Sequence, residues 1–160
     1  MTKVVFPGSF DPVTLGHVNI IERACHLFSE VHVAIASQPS TSKSVMWSID
    51  DREALMCAAV KHLPKVKVHR FSGLLVDFLK TVHIPVIVRG VRSSVDWNYE
   101  SELSQVHKIL WPQVEMVCLR SDSQFNVVSS TYVREIFKYG GDISSLIPPV
   151  CVEMIERKRG

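Results

Sequence analysis

Lys3-Val4-Val5-Phe6-Pro7-Gly8-Ser9-Phe10-Asp11-Pro12-Val13-Thr14-Leu15-Gly16-His17 is the stretch that decides the fold. Its first four residues are apolar and β-branched enough for a strand, and the run breaks at Pro7-Gly8. Beyond it, apolar residues recur three and four apart at Val18, Ile21, Ala24/Cys25 and Phe28, the spacing of one helix face. In the connection, Gly8 lets backbone come close to a ligand and Ser9 adds a hydroxyl. Asp11-Pro12 sets a turn, and Thr14-Leu15-Gly16-His17 opens the helix. A helix start carries unpaired N–H groups and about half a positive charge, so it suits a phosphate, and His17 adds a donor there. A plain strand–helix turn capped by a histidine would account for Gly16-His17 alone, but not for the whole run 7–17.

The same alternation continues. Further β-branched runs occupy 31–36, 66–70, 85–89 and 114–119. Between them, Leu103, Val106 and Ile109/Leu110 form a second helical stripe, and Leu74, Phe78 and Leu79 a shorter one. Ser48 precedes Asp50-Asp51 as a helix cap, and Pro148-Pro149 starts a C-terminal packing helix. Strand–helix alternation of this kind predicts an α/β fold: a Rossmann-like, doubly wound, five-stranded parallel sheet with helices on both faces. Ligands in such sheets bind at the carboxyl ends of the strands, which here follow Phe6, Ala36, Val88 and Leu119. The polar segment 37–47 is expected to be a mobile loop over that edge.

Composition narrows the class. The chain has 160 residues, which predicts one domain over 1–160, and 18 basic against 16 acidic residues leave a net charge of +2. That balance argues against a nucleic-acid partner. No apolar run approaches the roughly 20 residues of a membrane span, and the first residues are too short in apolar length for a signal peptide. A cytoplasmic protein is expected. The four cysteines, Cys25, Cys57, Cys118 and Cys151, stand apart among apolar residues and read as buried free thiols. The seven histidines show no metal-binding spacing, so no protein-built metal site is expected.

Two further segments carry phosphate chemistry. Arg89 and Arg92 flank Gly90-Val91 after a strand, and guanidinium groups match phosphate oxygens bidentately. Trp97 reads as packing, whereas Glu100 offers an acceptor for a ribose hydroxyl or an amine. Ser129-Ser130-Thr131 opens another helix after a turn, as an ordinary N-cap or as a third anion site. Arg134, one turn on, is open between the site and solvent.

Taken together, these segments resemble a known family. The run from Gly8 to His17 is similar to the nucleotide-binding motif of the class I nucleotidylyltransferases. Val88-Arg89-Gly90-Val91-Arg92 with Asp96, Tyr99 and Glu100 resembles a segment of bacterial phosphopantetheine adenylyltransferases. So do Phe125-Asn126-Val127-Val128-Ser129-Ser130-Thr131 and Gly140-Gly141-Asp142 followed by Leu146 and Pro148. The resemblance implies transfer of the adenylyl group of ATP to 4′-phosphopantetheine, giving dephospho-coenzyme A and pyrophosphate. It implies an ATP site at Ser9, Phe10, His17, Gly90, Val91, Arg92, Glu100 and 125–131, and an acceptor site at Ser9, Thr41, Leu75 and Arg89. His17 and a loop lysine would be catalytic. The family's lysine has Thr41 at its place by counting, but Lys43 is the loop's only ammonium and is preferred. The resemblance further implies Mg²⁺ with ATP, a homohexamer and feedback by coenzyme A. Alternatives are a nicotinamide or nicotinate mononucleotide adenylyltransferase and a nucleotide-sensing module without turnover. An aminoacyl-tRNA synthetase would need a far longer chain.

Overall fold

Alternation of strand and helix carries through the chain, of which the computed structural model describes residues 2–38 and 45–159. In order come β1 (Lys3–Gly8), α1 (Leu15–Leu27), β2 (Glu30–Ala36), α2 (Ile49–Val60), β3 (Val66–Phe71) and α3 (Leu75–Val82). Then follow β4 (Val86–Val91), α4 (Ser94–Leu110), β5 (Glu115–Arg120), a 3-10 turn (Ser123–Phe125), α5 (Ser130–Lys138) and α6 (Pro149–Glu156). Each expected strand is present within two residues of its expected ends. All strand pairings are parallel, in the order β3-β2-β1-β4-β5, which is the Rossmann-like sheet the alternation predicts.

Successive strand residues point to opposite faces, and the core divides accordingly. Val4, Phe6, Val33, Ile35 and Val88 pack with α1, α2, α5 and α6 in one cluster. Val5, Ala34 and Ile87 pack with Leu79 of α3 in the other. The chain reverses direction across the sheet between β1 and β4, and such a switch point opens a crevice at the strands' carboxyl ends. Here β1 and β2 pair along six positions from Lys3↔Glu30 to Gly8↔Ile35, whereas β1 and β4 pair at Val5↔Ile87. Farther along, Pro7 has no N–H to donate, and its carbonyl accepts instead from the Arg89 guanidinium.

Two expectations are corrected, for Trp97 and for the cysteines, and the apolar stripe of α4 is placed: Val106, Ile109 and Leu110 are exposed, and the helix buries Glu100 and His107 instead. Periodic apolar residues require an apolar neighbour, but not one in the same chain. Trp97 is likewise half in solvent rather than packed. Of the cysteines, all free, only Cys151 is fully buried, and Cys57 is exposed.

Candidate active site

A cleft of about 560 Å³ lies over the switch point, where β1, β4, α1, α4 and α5 meet. Its floor is the connection from β1 to α1. Phe10 holds a left-handed backbone (φ 47°), and its ring is buried edge-on against both Phe6 and His17. Gly8 is needed for that arrangement: a Cβ there would meet the Phe10 ring at 3.0 Å. Gly8 therefore makes room for an aromatic ring, and it also lines the cleft.

Thr14 caps α1, and its side chain accepts from the His17 N–H. In return, the Thr14 backbone N–H donates to His17 Nδ1 at 3.0 Å. A backbone amide can only donate, so Nδ1 is the unprotonated nitrogen and the ring's proton sits on Nε2. Withdrawal from water, followed by the charges of Arg92 and Arg89, lowers the His17 pKa from 6.5 to about 4. At neutral pH His17 is thus an uncharged donor of fixed tautomer, with Nε2–H as its remaining polar group.

The two arginines are held rather than free. Arg89 donates through Nε and Nη2 to Glu100 Oε1 at 2.8 and 2.6 Å, and through Nη1 to the Pro7 carbonyl. A guanidinium has five N–H groups, so about two remain for a ligand. Glu100 is buried, and its Oε2 has no hydrogen-bond partner among the described residues. A buried carboxyl oxygen is costly to leave without a partner, and Glu100 is one of the residues that line the cleft. Arg92 donates to Asp96 at 3.2 Å and to the Val128 carbonyl at 3.2 Å, bracing β4 against the start of α5. On α5, the Ser129 hydroxyl serves as the N-cap and the Ser130 hydroxyl donates to the Pro12 carbonyl at 2.7 Å. What α5 presents to an anion is therefore its backbone N–H groups.

Most of the expected site residues line this cleft: Ser9, Phe10, His17, Arg89, Gly90, Arg92, Glu100, Phe125, Val128, Ser129, Ser130 and Thr131. Val91, Asn126 and Val127 do not, although each adjoins a residue that does. Leu75 lies apart, packed against the second core cluster at the start of α3. Thr41 and Lys43 fall outside the described residues. Arg134, left open by the sequence, does line the cleft, donating to the Asp11 carbonyl at 2.6 Å and to Thr131 Oγ1 at 3.2 Å. Arg52, fully buried beneath the same edge, was not legible in the pattern of residues. It stands in Asp50-Asp51-Arg52-Glu53, which reads as a solvated charge run. Among the described residues, no three His, Cys, Asp or Glu side chains are grouped to hold a metal ion.

Comparison with known proteins shows the family. The family model described as cytidylyltransferase-like matches residues 5–136. A phosphopantetheine adenylyltransferase of Dictyoglomus turgidum is 41% identical over 158 residues, covering 99% of this chain and 98% of its own. The protein of that name from Actinobacillus succinogenes is 42% identical over 159 residues, with the same coverage. The chain belongs to the phosphopantetheine adenylyltransferase family. Among solved structures, a bifunctional NMN adenylyltransferase/ADP ribose pyrophosphatase from Francisella tularensis superposes with a TM-score of 0.73. That likeness spans 98% of this chain and 49% of the other at 17% identity, and it shows the shared fold.

Proposed function

We infer that the protein transfers the adenylyl group of ATP to 4′-phosphopantetheine, giving dephospho-coenzyme A and pyrophosphate in coenzyme A biosynthesis. The observation that carries this reading is the state of His17: neutral, of fixed tautomer, in one cleft with Arg89 and Arg92. A phosphate monoester attacking the α-phosphorus of ATP needs no base, because its second pKa of about 6 leaves it largely dianionic at neutral pH. The new bond forms between that phosphate oxygen and the α-phosphorus. The bond from the α-phosphorus to the bridging oxygen breaks, and pyrophosphate leaves with the electron pair. What the protein must supply is alignment and donors for the charge that builds on the α-phosphate. His17 Nε2–H can donate there without surrendering its proton. The spare donors of Arg89 take the acceptor's phosphate, while those of Arg92 and the N-termini of α1 and α5 take the triphosphate.

Glu100 Oε2 accepts from the nucleotide, and Ser9 touches both substrates. Mg²⁺ is expected to accompany ATP, where it would neutralise phosphate charge with phosphate oxygens and water as its ligands. Lys43 is assigned the attacking phosphate ahead of Thr41. The exposed apolar face of α4, with Val95, Tyr99, Val106 and Ile109, supports a homo-oligomer, for which the family resemblance implies a hexamer. Cytoplasmic location and feedback by coenzyme A belong to the same reading. No helix among the described residues is long and apolar enough to cross a membrane.

Pyrophosphate release from ATP tests this directly, with 4′-phosphopantetheine and nicotinamide mononucleotide as separate acceptors. Release with the first alone is expected. Release with the second alone would replace this reading by the other, and ATP binding without release would make the chain a nucleotide sensor. In the same assay Lys43→Ala is expected to slow turnover, and unchanged turnover would remove Lys43 from the mechanism.

A further inference from the structure

Arg52 is the largest of the fully buried side chains, and it sits under the floor of the cleft without lining it. A charged group taken out of water requires hydrogen-bond partners, and the four that Arg52 has are all main-chain carbonyls. Nη1 donates to Ser9 and to Ala36, each at 2.8 Å; Nη2 donates to Ser37 at 3.1 Å; Nε donates to Trp47 at 3.1 Å. These four carbonyls come from the exit of β1, the exit of β2 and the residue before the cap of α2. The carboxylate whose charge acts on it is Asp11, also buried, which accepts from the backbone N–H groups of Met46 and Trp47 at 2.9 Å and pairs with Arg134 at 3.7 Å. Asp11 in turn lends its carbonyl to Arg134 on the cleft wall.

Packing alone would be served better by an apolar side chain, since a buried ion pair rarely stabilises more than well-packed hydrocarbon. A rigid planar fork does something hydrocarbon cannot: it fixes the spacing of four carbonyls that belong to separate segments. Ser9 and Phe10 follow directly on one of those segments and line the cleft. We propose that Arg52, with Asp11 as its counter-charge, is a positioning residue that sets the Ser9-Phe10 turn at the reacting end of the cleft.

The proposal rests on the adenylyl-transfer reading for its kinetic readout, but not for its structural one. Arg52→Lys keeps the charge and loses the fork, and Asp11→Asn is a second variant should the first fail to fold. At saturating substrates, turnover per folded molecule is expected to fall on the order of ten- to a hundredfold, as small misplacements of reacting groups do. The ATP dissociation constant is expected to move less than threefold. Combined with Ser9→Ala, the Arg52→Lys loss is expected to shrink, because both act through one turn. A lowered melting temperature with full turnover per folded molecule would overturn the proposal, as would losses that simply multiply with Ser9→Ala. Should the wild type release no pyrophosphate with 4′-phosphopantetheine, the functional reading falls separately. The amide resonances of Ser9 and Phe10 then decide: a shift in Arg52→Lys supports positioning, and an unmoved pair refutes it.

Discussion

His17 links the stability of the protein to pH, and replacing it by Asn measures that link in the enzyme free of substrates. Asn offers an oxygen near the position of Nδ1 and so can keep the contact with the Thr14 N–H, but it cannot titrate. In the folded protein the imidazole's pKa lies at about 4, below the ordinary 6.5 of an unfolded chain. The unfolded state therefore takes up the proton first. The corresponding stability is complete above pH 6.5 and is lost as the pH falls from there towards 4. Between pH 8 and pH 5 the two titration curves differ by about 2 kcal/mol, at about 1.4 kcal/mol per pK unit. For a chain of this size that corresponds to roughly 4–8 °C of melting temperature.

Denaturant unfolding of wild type and His17→Asn at pH 8 and pH 5 gives the comparison. Every other titrating group is common to both proteins and cancels to first order. The wild type is expected to lose about 2 kcal/mol more than the variant over this interval. Equal losses would refute the argument, because they would mean that burial and the two guanidinium groups do not depress His17 at all. A titration midpoint near 6.5, followed by the ring's own NMR signals, would refute it equally.

Two further outcomes follow from the same geometry. His17→Ala is expected to lower turnover by about two to three powers of ten while changing the ATP dissociation constant far less, since the donor matters most as charge develops. Equal losses in the two would make His17 a binding group only. Gly141→Ala is expected to destabilise the fold by about 1–3 kcal/mol, read as a fall in denaturation midpoint. A Cβ there would stand 2.6 Å from Ile136 Cγ2, a branch fixed close to the helix backbone, and 3.3 Å from the Ile136 carbonyl oxygen.

Periodicity made the architecture legible. β-branched runs and helical stripes follow from local physics, because a strand or helix must present its apolar residues at its own repeat. The same holds for caps: Thr14, Ser48 and Ser129 hold the helix starts where their hydroxyls reach the next turn's N–H groups. Most of the site was also visible, since residues within three or four positions of Gly16-His17, Arg89-Arg92 and Ser129-Thr131 lie at strand ends and helix starts. What the pattern could not assign was direction. The stripe of α4 was real, yet its partner is not this chain's core, and Glu100 and His107 lie inward instead.

The sequence by itself determined the order of strands and helices, the loops that carry the phosphate chemistry and the family. These depend on residues close together along the chain. The tertiary structure decided how those loops are held. The pairing of Arg89 with Glu100 and of Arg92 with Val128, and the burial of Arg52 beneath Ser9, join residues 11, 36 and 43 positions apart. Above all, the charge state of His17 was undecided until its surroundings were known. A histidine's pKa depends on the water it loses and the charges it meets, and only the folded chain brings Arg89 and Arg92 to it.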